Sequence, residues 1–226
     1  MIEQVAEKLG PLRQKVAFLG GSATGFHVTD EAAPGIRATL DVEIIVEVAS
    51  IVAYHGLEKT LMQRGFFRKI HEDDPIGRWY IDNLIVDVMP TDENILGFSN
   101  RWYLPALKNS VKIDLAPDLE IFIVTAPYFL GTKLDAFFGR GKGDYLTSHD
   151  MEDIINLING RAEVMADIKN TEPGLRDFIA KTLRGFLADE LFPEALAGHL
   201  LPDPASQARR SVILERIKQI AALGSA

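Results

Sequence analysis

The chain has 226 residues, of which 47% are apolar, so it is long enough to bury one substantial core plus a smaller helical domain. Its lack of cysteine excludes disulfides and thiol chemistry. The first residues lack the pattern of a signal peptide and no run approaches the roughly 20 apolar residues of a membrane span, so we expect a cytoplasmic protein with no membrane partner. The formal net charge of −8 argues against extended binding to duplex nucleic acid, although a local basic patch can hold a short RNA end.

The hydrophobic pattern predicts an α/β region followed by an all-helical one. Before Pro127, apolar runs and alternations predict strands at 16–20, 40–47, 66–70, 78–82, 84–90 and 119–124, with helices near 2–9, 22–28 and 50–64. After Pro127 only helices are predicted, near 127–138, 148–160, 162–169, 173–190 and 205–223. We therefore expect an α/β (α+β) fold, with a domain over residues 1–125 and a helical domain over 126–226 that contributes to the cleft.

A short glycine-containing turn follows the first predicted strand. Gly20-Gly21-Ser22 comes directly after the apolar run of residues 16–19 and before a predicted helix. Backbone N–H groups at such a turn bind phosphate oxygens, and glycine lets a phosphate approach the backbone closely. The sequence therefore predicts a phosphate-binding turn at residues 20–22.

Two carboxylates share one face of the next predicted strand. In residues 40–47 the apolar side chains alternate with Asp41, Glu43 and Glu47, so these acids point to the same side. Side chains at positions i and i+2 lie roughly 6.5–7 Å apart along a strand, and carboxylates so spaced can close on one or two divalent cations. The alternative is that the three acids form the solvent-exposed face of an antiparallel strand.

Asp87 is a third candidate ligand. It interrupts an otherwise apolar strand over residues 84–89, and an unpaired buried acid is energetically costly. A cation at this position can be a metal ion shared with Asp41 and Glu43, or an arginine or lysine side chain. We expect the three carboxylates to converge on one cleft from adjacent strands.

A second polar segment follows Pro127. Lys133 and Arg140 are seven residues apart, one in and one just after a predicted helix, and both can reach an anion from the same side. Gly139 can act as a helix C-cap and the cations can be solvated. Asp150 lies in the predicted first turn of the next helix, where negative charge is favourable for structural reasons alone. We expect Lys133 to face the Gly20-Gly21-Ser22 turn.

These motifs together resemble a known family. Residues 20–22, residues 37–43 and Asp87 are similar to the polymerase-beta-type nucleotidyltransferase fold, and specifically to its AbiEii/AbiGii toxin-like branch. Residues 133–144 and 148–153 resemble the second signature of that branch. The resemblance covers roughly residues 15–160. It departs from the family at Glu43, where an aspartate is usual.

The resemblance implies a role for each matching residue. Gly20, Gly21 and Ser22 would hold a triphosphate, Asp41 and Glu43 would bind Mg²⁺ (or Mn²⁺), and Asp87 would complete the metal site and activate the attacking hydroxyl. The positions that would contact the nucleotide are Arg37, Lys133, Arg140 and Asp150.

The function implied is transfer of a nucleoside monophosphate from a nucleoside triphosphate to an RNA end such as that of a tRNA, a protein or a small molecule. The setting would be phage defence or a toxin paired with a cognate antitoxin. The alternative is a nucleotide-binding or protein-interaction module on the same fold that has lost catalysis.

Overall fold

The structure is a computed structural model, and it describes residues 1–33, 35, 39–69, 75–139 and 143–224. It has the predicted mixed α/β fold class, with helices following the sheet. The chain divides into two compact units. Met1–Ala23 and Arg37–Thr125 form the sheet unit, whereas Thr24–Ile36 and Ala126–Ala226 form the helical unit.

The sheet unit contains six strands in the order β3-β4-β2-β1-β6-β5. The strands are β1 (Val16–Leu19), β2 (Asp41–Val46), β3 (Arg78–Ile81), β4 (Leu84–Pro90), β5 (Val111–Ala116) and β6 (Leu119–Ile123). Strand β2 is antiparallel to β1 and parallel to β4, while β1 is parallel to β6. Two antiparallel hairpins, β3-β4 and β5-β6, complete the sheet.

Five of the six predicted strands match named strands of the sheet. The exception is 66–70, where Phe67 forms only an isolated bridge with Tyr80 and Ile70 lies outside the described residues. Strand β5 was not predicted. Its burial alternates weakly because it is a largely exposed strand with an irregular register near its end, so its apolar residues give a poor period-2 signal.

Helices precede β1 and connect the strands along the chain. They are α1 (Ile2–Leu9), α2 (Ile51–Gln63), α3 (Glu93–Leu96) and α4 (Tyr103–Lys108), with 3₁₀ helices at Gly10–Lys15 and Gly21–His27. In α1 the buried residues follow helical spacing. Side chains of α1 and α2 join one hydrophobic core with Val42 and Ile44 of β2 and with Val86 and Val88 of β4. Because side chains alternate along a strand, the residues between these point to the opposite face.

The helical unit is built around one central helix. Its helices are α5 (Ala126–Gly139), α6 (His149–Gly160), α7 (Val164–Lys169), α8 (Pro173–Ala188), α9 (Phe192–Gly198) and α10 (Pro204–Ala221). Most of α5 is buried, and Phe137 on it makes edge-to-face contact with Phe186 of α8. Phe186 in turn stacks on Phe192 of α9. Helix α9 was not among the predicted helices. None of the described helices is long and apolar enough to cross a bilayer.

Hydrogen bonds and ion pairs hold residues 24–33 in the helical unit. The backbone N–H groups of Thr29 and Asp30 donate to the carbonyl of Gly160, at 2.8 and 2.9 Å. The Asp30 carboxylate accepts from Arg209 at 2.6 Å and from Arg216 at 3.3 Å, and the contact with Arg209 lowers the pKa of Asp30. These contacts explain why a segment that precedes β2 in the chain groups with the helices.

His27 is a buried histidine in this segment. It is 4% exposed, and its ring centroid lies 5.0 Å from that of Phe129 on α5. Burial lowers the pKa of His27 from 6.5 to about 4, and the charge of Arg161 acts in the same direction. The ring is therefore neutral in the folded protein at neutral pH.

We predict that His27 makes the folded state less stable as the pH falls from 6.5 towards 4. In this window the unfolded chain binds a proton at His27 that the folded chain does not, so the free energy of unfolding decreases with decreasing pH. The full effect is about 3 kcal/mol, since each pKa unit corresponds to about 1.4 kcal/mol. Urea unfolding at several pH values should show this fall in the wild type and lose it in His27→Phe. His55→Gln, which alters an exposed histidine, is the control, and an unchanged pH profile in His27→Phe would contradict the prediction.

Candidate functional site

Three carboxylates lie on one face of two neighbouring strands. In the parallel pairing of β2 with β4, Asp41 is in register with Ile85 and Glu43 with Asp87. Residues paired across neighbouring strands point to the same side of a sheet, and Asp41 lies two positions from Glu43. All three acids therefore share the face opposite the hydrophobic core. Asp87 is buried, while Asp41 and Glu43 are partly exposed.

Arg78 supplies the cation that the buried Asp87 requires. It stands opposite Asp87 in the β3-β4 hairpin, and its Nε and Nη2 donate to the two carboxylate oxygens, both at 2.8 Å. Nη2 also lies 3.7 Å from Asp41. The hydrogen bonds to Asp87 raise the pKa of Arg78 above its already high value, so the guanidinium stays charged at every accessible pH.

This pairing decides how well the carboxylates fit a metal ion. Within the described ranges, no group of three or more histidine, aspartate or glutamate side chains is arranged to hold one. Each oxygen of Asp87 already accepts a hydrogen bond from Arg78 and the residue is buried, so Asp87 is less available to a metal ion than the two partly exposed acids are. Asp41 and Glu43 do fit in kind, because Mg²⁺ in proteins usually takes only one or two carboxylates.

Gly20 is required by its neighbour Glu43. It has a φ of +77°, and a Cβ at this position would come within 1.7 Å of Glu43 Oε2. Any other residue would be strained there and would push the Glu43 carboxylate away. The glycine thus allows the Glu43 side chain to lie against the turn. The 3₁₀ helix Gly21–His27 begins at the next residue.

Ser22 contributes a buried hydroxyl at this turn. Its Oγ is shielded from solvent and has no hydrogen-bond partner among the residues described. A buried polar atom of this kind normally bonds to protein, ordered water or a ligand. A phosphate oxygen would satisfy it only after the turn opened, because the Oγ is closed to solvent in this structure.

Lys133 lies in a buried cluster of charges within the helical unit. Its Nζ is 2.7 Å from Asp153 Oδ2 and 3.3 Å from Asp150 Oδ1. The side chains of all three residues are less than one-tenth exposed. Two carboxylates of α6 thus share one ammonium group of α5, which is sufficient to explain why Lys133 interrupts an apolar helix.

Four predicted nucleotide contacts remain, namely Arg37, Lys133, Arg140 and Asp150. Arg37 and Arg140 lie outside the described residues. Lys133 and Asp150 belong to the helical unit, whereas Gly20 and Gly21 belong to the sheet unit. Contact between Lys133 and the turn therefore remains a prediction.

Arg78 is the residue that the sequence analysis missed. The signal was present, because only Asn83 separates the predicted strands 78–82 and 84–90, and strands so close in the chain form a tight hairpin. A two-residue hairpin loop there pairs Ile81 with Leu84. Counting outward from that pair places Arg78 opposite Asp87. The positive φ of Asp82 is typical of such tight turns.

Comparison with known proteins gives no family assignment. No family model matches the chain, and no curated protein matches it.

We predict that Lys133→Met lowers the free energy of unfolding by about 3–5 kcal/mol, because it removes the cation from two buried carboxylates. Chemical unfolding measures the change. Lys8→Met is the matched control, since Lys8 forms a 3.0 Å pair with Asp82 in which both side chains are well exposed, and loss of an exposed pair costs about 1 kcal/mol or less. Equal effects of the two substitutions would show that the Lys133 cluster is not a buried charge network.

Proposed function

We propose that the protein is a Mg²⁺-dependent nucleotidyltransferase, which moves a nucleoside monophosphate from a nucleoside triphosphate to an RNA, protein or small-molecule acceptor. The observation that carries the proposal is the position of Asp41 and Glu43. They lie on one face of β2, beside Asp87, and Glu43 packs directly against the Gly20 turn. Carboxylates next to a phosphate-binding turn are the arrangement that metal-assisted phosphoryl transfer requires.

The proposal assigns a separate task to each residue. Asp41 and Glu43 would hold the metal ion, and the buried hydroxyl of Ser22 would donate to a phosphate oxygen. When bound, the ion would supply positive charge to the phosphates and the leaving group. Arg78 keeps Asp87 in place through two hydrogen bonds, so a role of Asp87 as ligand or base requires Arg78 to release it. A triphosphate offers Arg78 an equivalent partner, because guanidinium groups bind phosphate and carboxylate with the same two-pronged geometry.

The family resemblance adds the biological setting to this proposal. A toxin-like nucleotidyltransferase would modify an RNA end such as that of a tRNA, and a cognate antitoxin would control it. An assay with each labelled triphosphate and a cell extract identifies both the donor and the acceptor.

We predict that the wild-type protein transfers label from at least one α-labelled nucleoside triphosphate to a component of a cell extract in the presence of Mg²⁺. Asp41→Asn should abolish transfer, because it keeps the shape of the side chain and removes the charge that holds the cation. Asp41 is partly exposed, and its nearest approach to Arg78 is 3.7 Å, which is longer than a hydrogen bond. The variant should therefore remain folded.

Glu47→Gln is the matched control for this assay. Glu47 is an exposed acid directly after β2 and should be dispensable. Asp87→Asn should also lose activity, but it leaves Arg78 without its main partner, so its folding must be verified by circular dichroism. A wild type that binds triphosphates without transferring label, or an Asp41→Asn variant with full activity, would refute the enzymatic proposal.

The second candidate is a nucleotide-binding or protein-interaction module without catalysis. The bidentate pairing of Arg78 with Asp87 favours it, because this pairing satisfies the buried acid without a metal ion. Glu43, which stands where the resembled family has an aspartate, points the same way.

We predict that Arg78→Gln strengthens binding of Mn²⁺ by about tenfold, or roughly 1.4 kcal/mol, because it removes a positive charge and releases a carboxylate. Electron paramagnetic resonance of free Mn²⁺ measures the affinity. Arg68→Gln is the control, since Arg68 pairs with Glu58 rather than with the carboxylates of β2 and β4. If Arg78→Gln folds normally and binds Mn²⁺ no better than the wild type, the non-catalytic module becomes the better account.

A further inference from the structure

Strand β5 lies at an open edge of the sheet. It is the last strand in the order β3-β4-β2-β1-β6-β5 and pairs with β6 on one side. None of its six residues is fully buried, and Val111 is 46% exposed. An edge strand presents unpaired backbone N–H and C=O groups, which can pair with another strand.

The charges on β5 are arranged unfavourably within one chain. Asp114 stands directly opposite Glu120 of β6, and like charges in this position destabilise a sheet. Lys112 lies on the same face of β5 and pairs with Glu120 at 2.8 Å. No ion pair to Asp114 is found in the part of the chain that the structure describes. One lysine thus serves two carboxylates.

The other face of β5 is apolar. Ile113 and Leu115 pack partly against the hydrophobic core of the sheet unit. Both are partly exposed, and Val111 on the same face is 46% exposed. A strand added beyond β5 would therefore bury apolar side chains on one face and meet Lys112 and Asp114 on the other.

We propose that β5 is the surface through which two copies of this chain associate, with their β5 strands antiparallel and centred on Ile113. In this register Lys112 of each copy lies opposite Asp114 of the second copy, and Val111 lies opposite Leu115. Asp114 thereby gains a second cation, beside the Lys112 of its own chain that is already paired with Glu120. The two six-stranded sheets become one continuous sheet.

The charges also select this register over its neighbours. Antiparallel pairing of identical strands keeps residues of one face opposite each other, so the next registers are centred on Lys112 or on Asp114. The first of these places two lysines opposite each other, and the second places two aspartates. Only the register centred on Ile113 pairs opposite charges. The irregularity between Asp114 and Ala116 falls at Leu115, so the regular part of the pairing runs from Lys112 to Asp114, and Val111 and Leu115 flank it.

Charge-reversal variants test this arrangement, because the proposal predicts an outcome for them that exposure of the strand alone does not. Sedimentation velocity over a concentration series should show reversible dimers of the wild type. Lys112→Asp and Asp114→Lys each place like charges opposite one another in a homodimer, so each should weaken association by about tenfold or more. An equimolar mixture of the two variants restores opposite charges at both positions. The mixture should therefore form a heterodimer although neither variant forms a homodimer.

The controls separate this interface from folding and from net charge. Lys108→Asp makes the same charge change at an exposed residue just before β5 and should leave association unchanged. If a single variant is unfolded by circular dichroism, the double substitution Lys112→Asp/Asp114→Lys takes its place and should dimerise like the wild type. A wild type that stays monomeric at all concentrations, or folded single variants whose mixture does not associate, would overturn the proposal.

Discussion

The polar face of the sheet depends on the pairing of Asp87 with Arg78. A buried carboxylate without compensation costs several kcal/mol, and Asp87 is only 5% exposed on a strand that is otherwise apolar. Arg78 meets this requirement because the β3-β4 hairpin places the two residues in register. The pairing also holds β3 to the sheet through side chains as well as backbone. It brings a positive charge within 3.7 Å of Asp41, so the guanidinium charge acts on both Asp41 and Asp87.

The helical unit also contains buried carboxylates, and there a lysine supplies the compensating charge. Lys133 is shared by Asp150 and Asp153 in a nearly water-free setting, so its charge is fully committed within the fold. Arg78 is about one-fifth exposed at its side chain and sits beside partly exposed acids. A guanidinium in that position can exchange partners with an incoming anion at lower cost than a buried ammonium can. Of the two cations, Arg78 is therefore the better candidate for direct contact with a phosphate.

Periodicity and hairpin geometry determine how much of this was predictable. The period-2 pattern of residues 40–47 correctly indicates that Asp41 and Glu43 share a face, and hairpin counting would have placed Arg78 opposite Asp87. The cluster around Lys133 was not predictable in the same way. Lys133 and Asp153 are twenty positions apart on different helices, and their contact depends on how α5 packs on α6. Strand β5 was missed because an exposed edge strand buries too little to show a clear pattern.

Competition between two cations would link the structure to the proposed chemistry. Arg78 binds Asp87 through two charge-assisted hydrogen bonds, each worth about 1.5–3 kcal/mol, and its charge cannot be removed by titration. In the proposed function, a metal ion that recruits Asp87 would compete with Arg78 for the charge of this carboxylate. A triphosphate would reduce this competition, because it brings oxygens that Arg78 can bind instead. Under the proposed function, the metal ion and the nucleotide would therefore assist each other's binding, since the nucleotide would bind Arg78 and the metal ion would bind the carboxylate that Arg78 releases.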